Sequence, residues 1–377
     1  MDRRAFVGLV IINLLLAFGN TFAASFNMIY LIKHLGLKPW QAPAYELIGF
    51  FIAIFVSVWM SRRSHIDPRN MLIFGLGSLI AEFTLFLVVK DPVVLSLLVG
   101  VAFGLYYPMF WNPCNVLMAQ MTKKDDRGVT YGAIFFLWPL ATFIAPFIGG
   151  LVIGYFSYQL LYLIGIALIF VTALTVVAYR NYIPKDQVMR IRIDAIGKRN
   201  IAALIGEGGF EGVFWIDIVL VTYLFSQSEV EIGAVFSLFG LAAGIMGIIL
   251  GRVSDRIQNR QFFSSLSALA SIPCVVMIFF SKSLEEFALA NGLLEFASFV
   301  LPVFIFAILT DRFEQAKNDS VVGREFFLDI GRSISIATLM VLVMSGLTPQ
   351  QVFLMAIPFL LLGTLAHEER KTPSVAG

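Results

Sequence analysis

The sequence predicts an all-α membrane protein in which twelve transmembrane helices form two six-helix bundles. The first observation is composition, since 59% of the 377 residues are hydrophobic and 14% are charged. Ordinary soluble domains contain about 45–50% hydrophobic and about 25% charged residues. The second observation is that apolar runs recur along the chain, each near the ~20 residues that a helix needs to cross a hydrocarbon core of about 30 Å.

A soluble solenoid of helical repeats is the alternative, but its repeats would need polar outer faces, which these runs lack. The chain also has 37 phenylalanines, more than the interior of a soluble protein of this length can hold. We therefore expect many aromatic side chains to face lipid.

The first apolar run begins after a basic start, MDRR, and so resembles a cleavable secretory signal. Its apolar character continues through residues 26–32, beyond the length of a signal's apolar core. We therefore predict a retained first span at residues 6–33.

Prolines and charged residues separate the apolar runs from one another. We number the runs as spans 1 to 12, with the last the shortest: 6–33, 43–61, 70–90, 93–121, 129–156, 158–179, 200–226, 232–251, 261–281, 284–311, 325–346 and 350–366.

Lysine and arginine predict the orientation, because cytoplasmic segments carry an excess of both. With a cytoplasmic N-terminus, most of them fall in cytoplasmic segments, including Arg324 before span 11. The opposite side then holds only Lys33, Lys38, Lys90 and Lys282. We expect a multi-pass protein of the plasma membrane with both termini in the cytoplasm.

The longest connector is basic and divides six spans from six. It is too short to fold alone as a soluble domain. We predict an N-terminal six-helix bundle at 1–180, a cytoplasmic linker at 181–199 and a C-terminal six-helix bundle at 200–377.

The turn between spans 8 and 9, GRVSDRIQNR at 251–260, is unusually charged. Its arginines fit a solvated cytoplasmic turn, but Asp255 does not, because acids contribute little to orientation. An aspartate here can cap a helix N-terminus and bind arginines, so we expect a conformational latch.

This turn resembles the signature loop of the major facilitator superfamily: Gly251, three residues, Asp255 and Arg256, three residues, Arg260. Gln258 stands where that pattern has a second glycine. The matching turn of the first half, 57–69, has serine at the glycine and aspartate places, so the resemblance implies a latch only in the second half.

Span 5 resembles the antiporter motif of the same superfamily through Gly132, Pro146, Gly149 and Gly150, with alanines at two glycine places. Small residues let helices approach closely, and a proline followed by glycines permits a bend. Close packing and a signal of transport direction both remain open.

The resemblance implies a solute carrier with the superfamily fold, in which the two halves rock about a site near the midplane. It implies a cavity lined by spans 1, 2, 4, 5, 7, 8, 10 and 11. It also implies that Asp255 docks near residues 127–131 when the cytoplasmic side is closed.

Acids within spans are the candidates for proton coupling, because a charged side chain at membrane depth is energetically costly and is expected to have a function. Span 7 contains GEGGFEG, which places Glu207 and Glu211 on one helix face, and then Asp217. Two carboxylates this close are expected to share a proton. Glu295 of span 10 is the leading single proton carrier. Glu82 of span 3 has either a packing or a functional role.

Polar and aromatic side chains at helical spacing predict the substrate cavity, with helix packing as the alternative. Asp329 and Arg332 lie three apart on one face and predict an internal ion pair. The full set of cavity candidates is Asn13, Asn20, Asn27, Tyr107, Trp111, Asn115, Trp138, Asn291, Asp329 and Arg332.

The leading hypothesis is a proton-coupled exporter of small amphipathic organic compounds, with an uptake symporter as the alternative. His34, His65 and His367 lie in loops or at a span end, and no nucleophile–base pair or metal cluster converges. We therefore expect no enzyme activity, cofactor, metal or nucleic-acid partner, and we expect a monomer in the bilayer. An intramembrane enzyme or sensor is the remote alternative.

Overall fold

The computed structural model describes residues 3–63, 65–121, 127–253, 259–312 and 317–367, and these are almost entirely helical. Within those ranges the only β pairing is one isolated bridge between Ile66 and Gln187. Asp255 and Arg256 of the expected latch lie outside the described residues.

Each predicted span corresponds to a helix or a pair of helices. Spans 1 to 6 are formed by Arg3–Ala24 with Asn27–Lys33, Ala44–Ser61, Pro68–Val88, Pro92–Met121, Arg127–Tyr155 and Tyr158–Ala178. Spans 7 to 12 are formed by Lys198–Phe225, Glu229–Val253, Arg260–Phe280, Leu284–Ser298 with Val300–Arg312, Lys317–Met344, and Pro349–Val352 with Ala356–Gly363.

Within the described residues, eleven of the spans are long and apolar enough to cross a membrane, and the twelfth is a shorter apolar segment, Pro349–Gly363. Large apolar side chains are also exposed on the helices, with Phe51, Phe55 and Phe74 at 56%, 60% and 63% exposure. Such surfaces are typical of contact with lipid. The prediction of an all-α membrane protein is confirmed.

Side-chain caps mark where several spans begin. Ser157 and Ser283 accept hydrogen bonds from backbone N–H groups three residues ahead, which satisfies donors that the first helical turn leaves free. Asp67 caps span 3 by accepting from the backbone N–H of Arg69, two residues ahead. Hydrogen bonds from Arg69 hold the pKa of the Asp67 carboxyl below its usual range.

Span 1 is interrupted between Ala24 and Asn27. Thr21, one turn before the interruption, and Ser25, within it, each donate a hydroxyl hydrogen bond to the carbonyl four residues back, at 2.7 Å. Hydroxyls bonded in this way compete with the helical ladder and bend helices. The second part of span 1 is therefore a separate seven-residue helix, Asn27–Lys33.

Span 10 is interrupted at Phe299, three residues before Pro302. Proline lacks the N–H that would bond the carbonyl of residue 298, and its ring crowds that turn. The hydroxyl of Ser267 in span 9 donates to the carbonyl of Ala297 at 2.5 Å, which satisfies a backbone group at the interruption.

The spans pack as two six-helix bundles that meet along two seams. Spans 1 to 6 contact one another, as do spans 7 to 12, while span 5 packs along span 8 and span 11 packs against spans 2 and 4. The seam between spans 5 and 8 is close: a Cβ added at Gly150, Gly233 or Gly240 would lie 2.4 Å from a backbone atom of the opposite helix.

The glycines of GEGGFEG allow span 7 to press against spans 11 and 12. A Cβ at Gly208 would lie 2.1 Å from the carbonyl oxygen of Leu328, and one at Gly206 would lie 2.6 Å from Leu362. Because this contact is backbone to backbone, the glutamates beside these glycines come within reach of span 11 side chains.

We predict that Gly208→Ala lowers the free energy of unfolding by about 1–3 kcal/mol, the usual effect of overpacking. Gly77→Ala is the matched control, because nothing lies within 4 Å of its added Cβ. Thermal unfolding in detergent compares the two, and equal midpoints would show that the contact at Leu328 yields without strain.

Candidate functional site

A cavity of about 530 Å³ lies between the two bundles. Its wall includes residues from the eight spans that the resemblance implied, together with Glu82 of span 3. Polar, charged and aromatic side chains all contribute to this wall. The cavity is therefore the candidate functional site.

The cavity wall contains ten of the side chains expected from the sequence: Asn13, Asn20, Asn27, Tyr107, Trp111, Asn115, Trp138, Glu211, Glu295 and Arg332. Four other candidates are buried away from this wall, namely Glu207, Asp217, Asn291 and Asp329. Two of those four, Glu207 and Asp329, are bonded to arginines that line the cavity.

Arg332 of span 11 is the centre of a buried charge network, and its side chain is 3% exposed. Its Nη2 lies 2.5 Å from Oε2 of Glu211, and its Nη1 lies 2.7 Å from Oδ1 of Asp329. A third carboxylate, Glu325, lies 3.8 Å from Nη1. The ion pair expected between Asp329 and Arg332 is present.

Arg324 forms the second centre of the network. Its guanidinium donates to Glu325 at 2.6 Å and also to Glu207. Glu207 and Glu211 therefore pair with separate arginines, although their spacing predicted that they share one proton. The glycines of span 7 make this possible, because they bring both glutamates against span 11.

Arg324 was expected in a cytoplasmic segment, and this was wrong. The helix of span 11 begins at Lys317, so Arg324 lies within it and is 7% exposed. The signal was present in the sequence: Glu325, Asp329 and Arg332 recur at helical spacing, with Arg324 beside the first of them.

Aromatic rings from both halves surround Arg332. Its guanidinium carbon lies 5.3 Å from the ring centre of Phe50, 5.1 Å from that of Tyr107 and 5.0 Å from that of Trp215. These distances permit cation–π attraction, which is stronger where water is excluded. The network of the second half is thereby held against spans 2 and 4 of the first half.

A direct hydrogen bond also crosses between the halves at the cavity. Asn115 Nδ2 of span 4 donates to Glu325 Oε1 of span 11 at 3.1 Å, and both side chains are buried. Nearby, the rings of Trp111 and Trp138, two of the aromatic side chains expected in the cavity, lie 5.4 Å apart.

The first half supplies two further carboxylates, Glu46 and Glu82, to the cavity wall. Tyr45 donates to Glu46 at 2.8 Å, and Asn27 donates to Glu82 at 3.1 Å. Sequence reasoning missed Glu46, because an acid in the first turn of a helix is typical of the helix dipole.

Other predicted residues lie apart from the cavity. Asp217 and Asn291 are fully buried, and their side-chain polar atoms have no partner among the described residues. Gly251 lies in the last turn of the span 8 helix, and Arg260 begins the span 9 helix.

The antiporter-like residues of span 5 lie at helix contacts. Gly149 packs on the carbonyl of Phe22, Gly150 packs on the carbonyl of Glu229, and the carbonyl of Pro146 faces Gly233. The surroundings of Gly132 are outside the described side chains. These contacts favour the packing role of the motif and leave a role in transport direction as a prediction.

We predict that Arg324→Gln lowers the free energy of unfolding by about 3–5 kcal/mol, because it leaves buried carboxylates without a cation. The double variant Glu207→Gln with Arg324→Gln should recover part of that loss. Arg190→Gln, at an exposed position in the connector, is the control. Chemical unfolding in detergent measures all three, and a double variant no more stable than Arg324→Gln alone would contradict the pairing.

Comparison with known proteins agrees with this architecture. The family model described as Major Facilitator Superfamily matches residues 9–224 and 201–375. The uncharacterized protein YqgE of Bacillus subtilis (strain 168) is 23% identical over 299 residues, which cover 74% of this chain and 68% of that protein.

Solved structures resemble the whole chain at low sequence identity. The human organic anion transporter MFSD10 (TETRAN) superposes with a TM-score of 0.70 at 12% identity, covering 97% of this chain and 99% of that one. The E. coli fucose:proton symporter FucP superposes with a TM-score of 0.68 at 13% identity, covering 96% and 97%. With two helical bundles around one cavity and a family match across both, the chain belongs to the Major Facilitator Superfamily.

Proposed function

We propose that this protein is a proton-coupled secondary transporter that exports small amphipathic organic compounds. The observation that carries the proposal is the cavity between the halves, where carboxylates, two arginines and a set of aromatic rings share one wall. A cavity of about 530 Å³ falls within the range of small-molecule sites, ~300–1,000 Å³.

The balance of charge supports coupling to protons. Among the described residues, the network around span 11 contains four carboxylates, Glu207, Glu211, Glu325 and Asp329, and two guanidinium groups. Glu295 of span 10 adds a further acid on the wall. Uncompensated charge is costly at membrane depth, so bound protons are the natural means of neutralising the excess.

The composition of the wall supports an amphipathic substrate. Rings such as Trp111, Trp138 and Trp215 offer stacking surfaces, while Asn20 and Thr142 offer hydrogen bonds. MFSD10 is described as an organic anion transporter and FucP as a fucose:proton symporter. Organic solutes and coupling to protons thus both occur on this fold.

Export rests on the resemblance of span 5 to the antiporter motif, and uptake by symport is the alternative. Both directions use the same cavity and the same acids. Imposing a proton gradient in each direction across proteoliposomes separates them, because an antiporter moves its substrate against the proton flow and a symporter moves it along the flow.

Alternating access requires two bodies that move relative to each other. We assign these bodies to residues 1–180 and 200–377, joined by the basic linker 181–199, with both termini in the cytoplasm of the cell and the plasma membrane as the location. A monomer suffices, because the cavity wall is built from one chain. The latch around Asp255 and Arg256 belongs to this proposal.

An ion pair joins the halves at the end of the molecule opposite the termini. Lys33 Nζ of span 1 lies 2.7 Å from Glu229 Oε1 of span 8, and Tyr158 of span 6 donates to the same oxygen at 3.2 Å. The ion pair therefore holds this end of the two bundles together.

We predict that Lys33→Glu opens this end, because the new carboxylate faces Glu229. A cysteine at Asn20, in a background without Cys114 and Cys274, reports access of a membrane-impermeant thiol reagent applied from the Lys33 face. Its rate of labelling should rise up to about fivefold, since a partly exposed pair contributes up to about 1 kcal/mol. Adding Glu229→Lys should restore the original rate, and failure to do so would argue against the ion pair as a gate.

We predict that Glu295→Gln abolishes transport driven by a pH gradient while leaving substrate binding intact. A thermal-shift screen in detergent first identifies a ligand, because bound ligands stabilise the folded state. Accumulation of that ligand is then measured in proteoliposomes, with Glu285→Gln, at an exposed acid of the same span, as control. Accumulation against a gradient by the Glu295→Gln protein would refute this assignment.

A further inference from the structure

We propose that Glu82 of span 3, paired with Asn27 of span 1, is a second proton-binding site, located in the first half and separate from the charge network of span 11. The inference rests on the proposed coupling to protons and assigns part of it to a residue whose role the sequence left open. Four observations support it: an incomplete hydrogen-bonded pair, its surroundings, its contact with the cavity and its place on span 1.

Asn27 and Glu82 form only one of the two hydrogen bonds that such a pair can exchange. Asn27 Nδ2 donates to Glu82 Oε1 at 3.1 Å, and the two residues are 1% and 2% exposed. Oδ1 of Asn27 and Oε2 of Glu82 have no partner among the described residues. When Glu82 is ionised, the amide oxygen of Asn27 and the carboxylate oxygen of Glu82 are both acceptors, so neither can satisfy the other.

A proton on Oε2 completes the pair. A neutral carboxyl group and a carboxamide can exchange two hydrogen bonds, the amide N–H donating to the acid carbonyl and the acid O–H donating to the amide carbonyl. The proton therefore supplies the one donor that this pair lacks. Two unsatisfied buried acceptors would otherwise remain, which folded proteins largely avoid.

The surroundings of Glu82 favour a proton over a neighbouring cation. The titratable groups that face it are Glu46 and Tyr45 of span 2, Tyr106 of span 4 and Tyr162 of span 6. No lysine or arginine of the described chain is among these groups. A buried carboxylate without a counter-charge is unfavourable, and a second acid nearby makes it more so.

The site is in contact with the transport pathway. Glu82, Asn27 and Glu46 all line the cavity, so a proton can exchange between Glu82 and water in the cavity. Glu46, which accepts a hydrogen bond from the Tyr45 hydroxyl, is a second acid on the same wall and can pass the proton on.

The pair also joins two elements that carry different parts of the fold. Asn27 is the first residue of the short helix Asn27–Lys33, whose last residue forms the ion pair with Glu229. Binding of a proton at Glu82 therefore strengthens the contact that fixes the first residue of this helix, and the last residue of the same helix pairs the two halves.

Infrared spectroscopy tests the site directly on the full-length protein, without any substrate. The wild-type protein, titrated over a range of pH, should show a carboxylic-acid C=O stretching band that disappears as the pH rises. Glu82→Gln should lack this component of the band, whereas Glu285→Gln, at an exposed acid, should retain it. A band that is unchanged in Glu82→Gln would overturn the proposal.

Thermal unfolding guards against a variant that simply fails to fold. Glutamine can make the same two hydrogen bonds as a protonated glutamate, so Glu82→Gln should unfold at or above the wild-type temperature at alkaline pH. Glu82→Leu, which can make neither bond, should unfold at a lower temperature. If Glu82→Gln is as unstable as Glu82→Leu, the reciprocal pair is not formed and the proposal fails.

Three further outcomes are informative. Exchanging choline chloride for sodium chloride at constant pH should leave the band unchanged, and loss of the band in sodium would overturn the proposal by identifying a sodium site. If the band depends on Glu82 while ligand transport in proteoliposomes shows no coupled proton flux, the site stands and the proposed coupling fails. If coupled proton flux is present but the band is unchanged in Glu82→Gln, only the site fails.

Discussion

The need to neutralise buried charge within an apolar medium is the constraint on which this structure depends. Two arginines of span 11 are each bonded to two carboxylates, and the whole group lies beside the cavity. Such a group is tolerated at membrane depth only when every charge has a partner or a proton. Spans 2, 4 and 7 each contribute a side chain that contacts this group.

The glycines of span 7 and the aromatic rings around Arg332 serve the same requirement in different ways. Glycine lets the backbone of span 7 approach span 11, so that Glu207 and Glu211 reach the arginines. The rings of Phe50 and Tyr107 come from the other half and face the guanidinium. The network is thus also part of the interface between the halves. A change in its charge therefore affects both the network and the contact between the halves.

Length and apolar character were sufficient to predict the twelve spans, because each segment must be long and apolar enough to cross the bilayer by itself. Spacing along a helix was also sufficient to predict the pair Asp329 and Arg332. Counting positive charges placed Arg324 wrongly in a cytoplasmic segment. A count of lysines and arginines is the same whether a basic residue near a span end faces water or a buried acid.

Pairs between distant segments could not be predicted in this way. Asn27 and Glu82 are 55 residues apart, and Asn115 and Glu325 are 210 apart, so no local pattern relates them. Glu46 was missed because its position favours a helix start. These contacts arise only when the bundles assemble.

The interruption of span 1 has a mechanical consequence. The helix Asn27–Lys33 has only seven residues, so it is too short to bend internally, and it is connected to the longer helix through Ser25 and the fully buried Phe26. A tilt imposed at one of its ends must appear at the other. About two turns of helix therefore connect Asn27, on the cavity wall, with Lys33, in the ion pair that joins the two halves.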